Sequence, residues 1–216
     1  MLPLNLSKTS ESPLTILCLG SHSDDIEIGC GGTILRLLAS NDKVEIVWVV
    51  FSASKVRAKE AQVSAKQFLS QVKQKEIIVK DFRDSFFPAD GARIKEFFES
   101  LKKISPDLIF THHRNDAHQD HRVIAELTWN TFRDHMILEF EIPKYDGDLG
   151  QPSVFVPLDS DLCQRKVNYI MEAFQSQRGK RWFQPDTFMS LMRLRGVECN
   201  SASGYAEAFY SRKLVL

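Results

Sequence analysis

The stretch Leu14 to Thr33, LTILCLGSHSDDIEIGCGGT, decides how the rest of the chain is read. It opens on an apolar, β-rich run, Leu14-Thr15-Ile16-Leu17-Cys18-Leu19, with the length and content of a buried parallel strand. The run breaks at Gly20-Ser21, and three metal-competent side chains follow at once: His22, Asp24 and Asp25. Glycines come at Gly29, Gly31 and Gly32, and then an amphipathic helix from Thr33 to Ala39. In an α/β sheet, ligands bind at the loops leaving the carboxyl ends of strands. Here that loop carries an imidazole and two carboxylates. The glycines do not spell a dinucleotide fingerprint, because Ile34 stands where G-x-G-x-x-G requires its third glycine. They let backbone approach the metal loop and the sheet closely, and Cys30 among them reads as packing.

Working outward, strand-like and helix-like segments alternate. Lys43 to Phe51 is a second apolar strand, and Lys55 to about Gln71 a helix with Ala58, Ala61, Ala65, Phe68 and Leu69 at helical spacing. Short strands follow at Glu76 to Val79, Asp107 to Thr111 and Met136 to Ile142, separated by helices over Ala92 to Ile104 and from Ala117 onward. Parallel neighbours need crossovers, so this order predicts an α/β, Rossmann-like, mostly parallel sheet with helices on both faces. Residues 14–142 form the core of a single domain, 14–216. Residues 143–216 are a less regular extension expected to cover the site: a loop with Pro143, Gly147, Gly150 and Pro152, a helix from about Asp159 to Gln177, the basic aromatic segment RGKRWF, a second short helix and a closing strand near Ala208 to Leu214.

Composition narrows the function classes. Lys plus Arg equals Asp plus Glu at 28 each, and nothing in that balance suggests a nucleic-acid or membrane surface. No apolar run approaches the ~20 residues a membrane helix needs. Residues 1–13 lack a basic n-region and a long apolar h-region, so they read as a flexible arm rather than a secretory leader. The four cysteines include no C-x-x-C and read as core thiols in a reducing, cytoplasmic compartment.

The second chemical segment is THHRNDAHQDHR, residues 111–122, again at the exit of a strand. Asp116 and Gln119 have capping-box spacing, which would start a helix at Ala117 and set His118 and His121 on one face. One loop histidine is ordinarily a satisfied polar residue. Five of the six histidines lie in these two loops, with only His135 elsewhere. A His, a carboxylate and a second His, with a fourth position open to water, are the ligand types of a catalytic zinc.

The chain resembles the zinc-dependent PIG-L/LmbE-like N-acetylglucosaminyl deacetylases, marked by H-x-D-D after the first strand and H-x-D-H after a later one. His22-Ser23-Asp24-Asp25 and His118-Gln119-Asp120-His121 match both, in order and context, over Leu14 to at least Ile124. The resemblance implies one Zn2+ per chain (another divalent metal being an option) on His22, Asp25 and His121. It implies Asp24 as general base, and His118 as oxyanion stabiliser with Asp120 holding it. It also implies Arg57 as a substrate contact. Ser23 and Ile26 depart from the usual H-P-D-D-E form. The segments EIPKYDG (141–147) and GKRWF (179–183) resemble a bacterial sugar-biosynthesis subgroup. The expected reaction releases acetate and a free amine from an N-acetyl amino sugar.

A neutral monosaccharide needs no cationic cluster, whereas a sugar on a diphosphate does. Arg178 and Arg181, beside Trp182, are therefore expected to contact a nucleotide conjugate of the sugar. The competing reading is a solvated helix end, where cations suit the dipole. Two other classes stay open: a hydrolase of another bond such as a phosphoester, with a second metal on His112, His113 and Asp116, and a non-catalytic metal- or sugar-binding module. A homo-oligomer is compatible with the sequence.

Overall fold

The computed structural model describes residues 12–215; the arm proposed for residues 1–13 lies almost wholly outside them. Among the described residues, seven strands form one sheet in the order β3-β2-β1-β4-β5-β7-β6. They are β1 Leu14–Gly20, β2 Val44–Val50, β3 Gln74–Val79, β4 Leu108–His112, β5 Met136–Phe140, β6 Val154–Pro157 and β7 Ala206–Tyr210. Strands β3, β2, β1, β4 and β5 are mutually parallel, and β7 and β6 close the edge antiparallel. The fold is thus the α/β, mostly parallel sheet that the alternation predicts.

Period-two alternation sorts β1 between two cores. Ile16 and Cys18 join Trp48 and Phe110 against α1 (Asp25–Ser40), α2 (Lys55–Phe68), α5 (Ser160–Ala173) and α6 (Pro185–Glu198). Leu17 and Leu19 join Val47, Val49 and Ile109 against α3 (Gly91–Leu101) and α4 (Gln119–Thr131). Helices cover both faces, as expected of parallel strands.

Three local features differ from the sequence reading. Helix α1 begins at Asp25, not Thr33, and takes in all three glycines. Their use is close packing of the helix itself: a Cβ at Gly29 would stand 2.3 Å from the Phe140 ring of β5, and one at Gly31 2.8 Å from Phe68 of α2. Strand β6 falls in a segment read as loop. It is a four-residue edge strand ending at Pro157, which suits proline only at an edge. Strand β7 ends at Tyr210, four residues short of Leu214.

Buried ion pairs seat the C-terminal segment on the core. Arg195 of α6 forks onto both oxygens of Glu141 at 2.6 and 2.7 Å. Glu207 of β7 accepts N–H groups of Gly32 and Thr33 in α1 and, at 2.6 Å, the ammonium of Lys166. Lys166 in turn donates to the Ile28 carbonyl, so α1 is gripped from β7 and α5.

Candidate active site

Strand order reverses at β1, which lies between β2 and β4. The crevice outside the carboxyl ends of β1 and β4 is therefore where a doubly wound sheet binds ligands. The β1–α1 loop supplies His22 and Asp24, with Asp25 opening α1; the β4–α4 loop supplies Asp116 and His118, with Asp120 and His121 in the first turn of α4. The loops are stitched together by the Ser21 N–H donating to His112 Nε2 at 2.9 Å and the Ser21 hydroxyl donating to the Asp120 carbonyl.

Three atoms converge. His22 Nδ1 is 3.2 Å from His121 Nε2 and 3.3 Å from Asp25 Oδ2, and the latter two are 3.6 Å apart. Ligands of a tetrahedral zinc with bonds of about 2.0–2.1 Å stand roughly 3.3–3.4 Å from one another. The triangle therefore fits a metal ion. His121 donates its other nitrogen to Asp116 Oδ2 at 2.9 Å, the outer-sphere carboxylate that fixes a ligand imidazole. Other groups close enough to share an ion are His22–His118–His121, His22–Asp84–His118–Asp120 and Asp25–His112–His121. Several of their lone pairs are already engaged: His112 Nε2 with Ser21, His118 Nδ1 with the Asp120 N–H, and both Asp120 oxygens with the N–H groups of Ser85 and Phe87.

Charge points the same way. Burial opposes a proton on His22, yet the Asp25 charge and the hydrogen bonds His22 donates to Asp120, Asp25 and Asp84 raise its pKa well above the usual value. Asp25 is held well below the carboxylate range: burial works against this, and His121, His112 and His22 outweigh it. A proton on His22 thus sits where a cation would relieve the same cluster of carboxylates. Burial and the neighbouring His112 lower His121 to about 4, leaving it neutral at pH 7, as a metal ligand must be.

Asp24 caps α1 and is 4% exposed. Its Oδ1 meets the Arg57 guanidinium at 2.5 Å, while Oδ2 has no hydrogen-bond partner among the described residues. Burial pushes this carboxyl up, against the pull of Arg57. His118 is the N-cap of α4 rather than a member of its first turn, and the Asp116–Gln119 capping box does not form. Asp116 instead turns inward, to the His118 N–H, His121 and Lys144. The Asp120 carboxylate turns to the 85–87 backbone and, at 3.3 Å, to His22 Nε2, instead of holding the His118 ring. Burial and the nearby His22 lower the His118 pKa.

A cleft of about 210 Å³ lies over these groups. Its rim carries Lys144, Tyr145 and Asp146 from the loop after β5, Asp84 from the loop after β3, and Gln177, Lys180 and Trp182 from the segment after α5. Of the residues expected to touch substrate, Arg57 lines the cleft; Arg178 and Arg181 do not. Arg178 donates to the Met171 carbonyl near the end of α5, a contact of the kind a cation at a helix end makes. The sequence marks EIPKYDG as a segment but gives no role to its Lys144 and Tyr145, nor to Asp84. Their signal is position, since Asp84 follows a parallel strand and the others follow β5 within EIPKYDG.

The sequence model of the PIG-L family, described as GlcNAc-PI de-N-acetylase, matches residues 17–132. Among solved structures, the chain is similar to N,N'-diacetylchitobiose deacetylase from Pyrococcus horikoshii, with 21% identity over 92% of this chain and 84% of that one and a TM-score of 0.71. It is similar to the conserved protein TT1542 from Thermus thermophilus, with 19% identity over 94% and 96% and a TM-score of 0.74. GalB, the 4-carboxy-2-hydroxymuconate hydratase of Pseudomonas putida, shares the fold at 16% identity over 94% and 97% with a TM-score of 0.71. One fold thus serves deacetylation and hydration, and activity has to be argued from the site.

Proposed function

This chain belongs to the PIG-L de-N-acetylase family, and from that premise we propose that it is a zinc-dependent N-deacetylase of an N-acetylated amino sugar. The observation that carries the reading is the convergence of the two motifs: His22, Asp25 and His121 at metal-ligand separations, beside Asp24 with one unengaged oxygen. In this reading those three residues hold the ion, which when bound lowers the pKa of a coordinated water to about 7 and polarises the amide carbonyl. Asp24 accepts the proton of the attacking water on Oδ2, while Arg57 fixes Oδ1, and it returns the proton to the leaving amine. The raised pKa of Asp24 suits it to both tasks. His118, at the cleft, meets the developing oxyanion, and Asp120 orders the adjoining loop and His22. The products are acetate and a free amino sugar.

A two-metal phosphoesterase finds less support. His113 Nδ1 is paired with Glu139 at 2.9 Å, His112 Nε2 receives the Ser21 N–H, and Asp116 is divided between His121 and Lys144. A binding module needs neither a general base nor an oxyanion donor. The group attached to the sugar, in our reading a nucleotide diphosphate, would run past Lys180 and Trp182. Four free, buried cysteines suit a reducing cytoplasmic compartment, and no described helix is long and apolar enough to cross a membrane. The test is acetate release by the zinc-reconstituted protein across free and nucleotide-linked N-acetyl sugars. Asp24→Asn should lower kcat by about 10²-fold or more with zinc content unchanged; near-normal turnover in that variant refutes the mechanism.

A further inference from the structure

The segment EIPKYDG, residues 141–147, has an anchoring role through Glu141, but its lysine does something else. Lys144 Nζ lies 3.1 Å from Asp116 Oδ1 and 2.5 Å from Asp148 Oδ2. Asp116 Oδ1 also accepts the His118 N–H at 2.8 Å, and its Oδ2 holds His121 Nδ1 at 2.9 Å. One carboxylate is therefore shared between an ammonium and the imidazole of a ligand histidine. The side chains are 10% and 3% exposed, so solvent and salt screen little of this. A carboxylate behind a ligand imidazole strengthens its donation to the metal. An ammonium on that carboxylate draws part of the strength away, and its own charge opposes a nearby cation. The same loop places Tyr145 and Asp146 on the cleft rim.

We propose that Lys144 is a positioning residue for the metal centre: by sharing Asp116 with His121 it tempers the donor strength of that imidazole and limits how tightly the site holds a divalent ion. This rests on the reading of His22, Asp25 and His121 as the ligands. The consequence has an unusual sign. Removing the charge tightens metal binding and slows turnover, because an ion held by stronger donors polarises its substrate less. A loop anchor with no electrostatic role gives weaker or unchanged metal binding on loss.

The experiment is zinc titration of the full chain against a chromophoric chelator. Lys144→Met, which keeps the aliphatic stem, should lower the zinc Kd by about tenfold, the low end of what outer-sphere partners control, while kcat falls. Lys144→Arg should keep the wild-type Kd. Asp148→Asn, which loosens the loop at the Ala117 N–H and leaves the ammonium to Asp116 alone, should keep the Kd or raise it. If Lys144→Met does not fold, Lys144→Gln carries the same expectation. Stoichiometric zinc on the wild type with unchanged or weaker affinity in the neutral variants overturns the role of Lys144 alone. Equal tightening by Asp148→Asn assigns the effect to loop anchoring and overturns it as well. A wild-type chain that takes up no zinc refutes the metal centre itself, and the inference with it.

Discussion

Glu27 lies two residues past the H-x-D-D motif, fully buried, and neither of its carboxyl oxygens has a hydrogen-bond partner among the described residues. The Ser64 hydroxyl of α2 is near it but outside hydrogen-bond geometry. Burial raises this carboxyl from 4.5 to about 8, and the charges of Asp24 and Asp25 add to the rise. The folded chain therefore keeps a proton that the unfolded chain releases. Stability from this group is complete below pH 4.5, declines through the window up to about 8, and is flat above it. The slope is about 1.4 kcal/mol per pH unit, so the loss at pH 7 is roughly 3 kcal/mol, against a total of about 5–15 for an ordinary domain. Glu27→Gln keeps the shape and cannot ionise. Its stability relative to the parent should rise by roughly 3–4 kcal/mol from pH 5 to pH 8. Urea unfolding of the zinc-free protein at several pH values across that range measures the difference directly. A difference that stays constant with pH refutes the reasoning, whatever its absolute size, since a packing change alone carries no proton.

Other expectations follow from the same geometry. Asp116→Asn keeps the shape beside His121 but weakens its support, and zinc affinity in a chelator titration should fall by about 10- to 100-fold. Lys180→Ala and Trp182→Ala should raise KM for a nucleotide-linked substrate, whereas Arg178→Ala, which only loses a carbonyl contact on α5, should leave it unchanged; the reverse pattern restores Arg178 as a substrate contact. Gly29→Ala forces a methyl group into the Phe140 ring at 2.3 Å, and calorimetry should report a destabilisation of about 1–3 kcal/mol, as for other overpacked cores.

What the sequence discloses here depends on whether a residue's role is local. The run at Leu14 to Leu19 and the two motifs are legible because a buried parallel strand and its exit loop are contiguous, and the topology then brings the loops together at β1 and β4. Helix α1 is misjudged because three glycines in four positions read as loop. Only the tertiary neighbours Phe140, Phe68 and Leu158 explain why a helix tolerates them. The capping box fails for a related reason: Asp116 finds stronger partners in His121 and Lys144, the latter 28 residues further along the chain. The rim is the least legible part. Arg178, Lys180 and Arg181 are indistinguishable by composition, and the short turn after α5 decides which of them faces the cleft. The four residues of β6 carry too little alternation to stand out, and their pairing with β7 is non-local.

The grip of Glu207 on α1 bears on how the molecule is made. Gly32 and Glu207 are 175 residues apart, and Lys166 and the Ile28 carbonyl 138. During synthesis at about 5–20 residues per second, the motif-bearing strands leave the ribosome several seconds before Glu207 does. Lys166 itself precedes Glu207 by 41 residues; until Glu207 emerges it has no counter-charge for the interior position it is to fill, and a lone buried charge costs several kcal/mol. Docking of α5 onto α1 is therefore expected to be weaker until β7 is in place, so that the seating of the H-x-D-D helix tightens late. A chain stopped before residue 207 would carry every chemical group of the site and still lack the clamp on the helix that presents them.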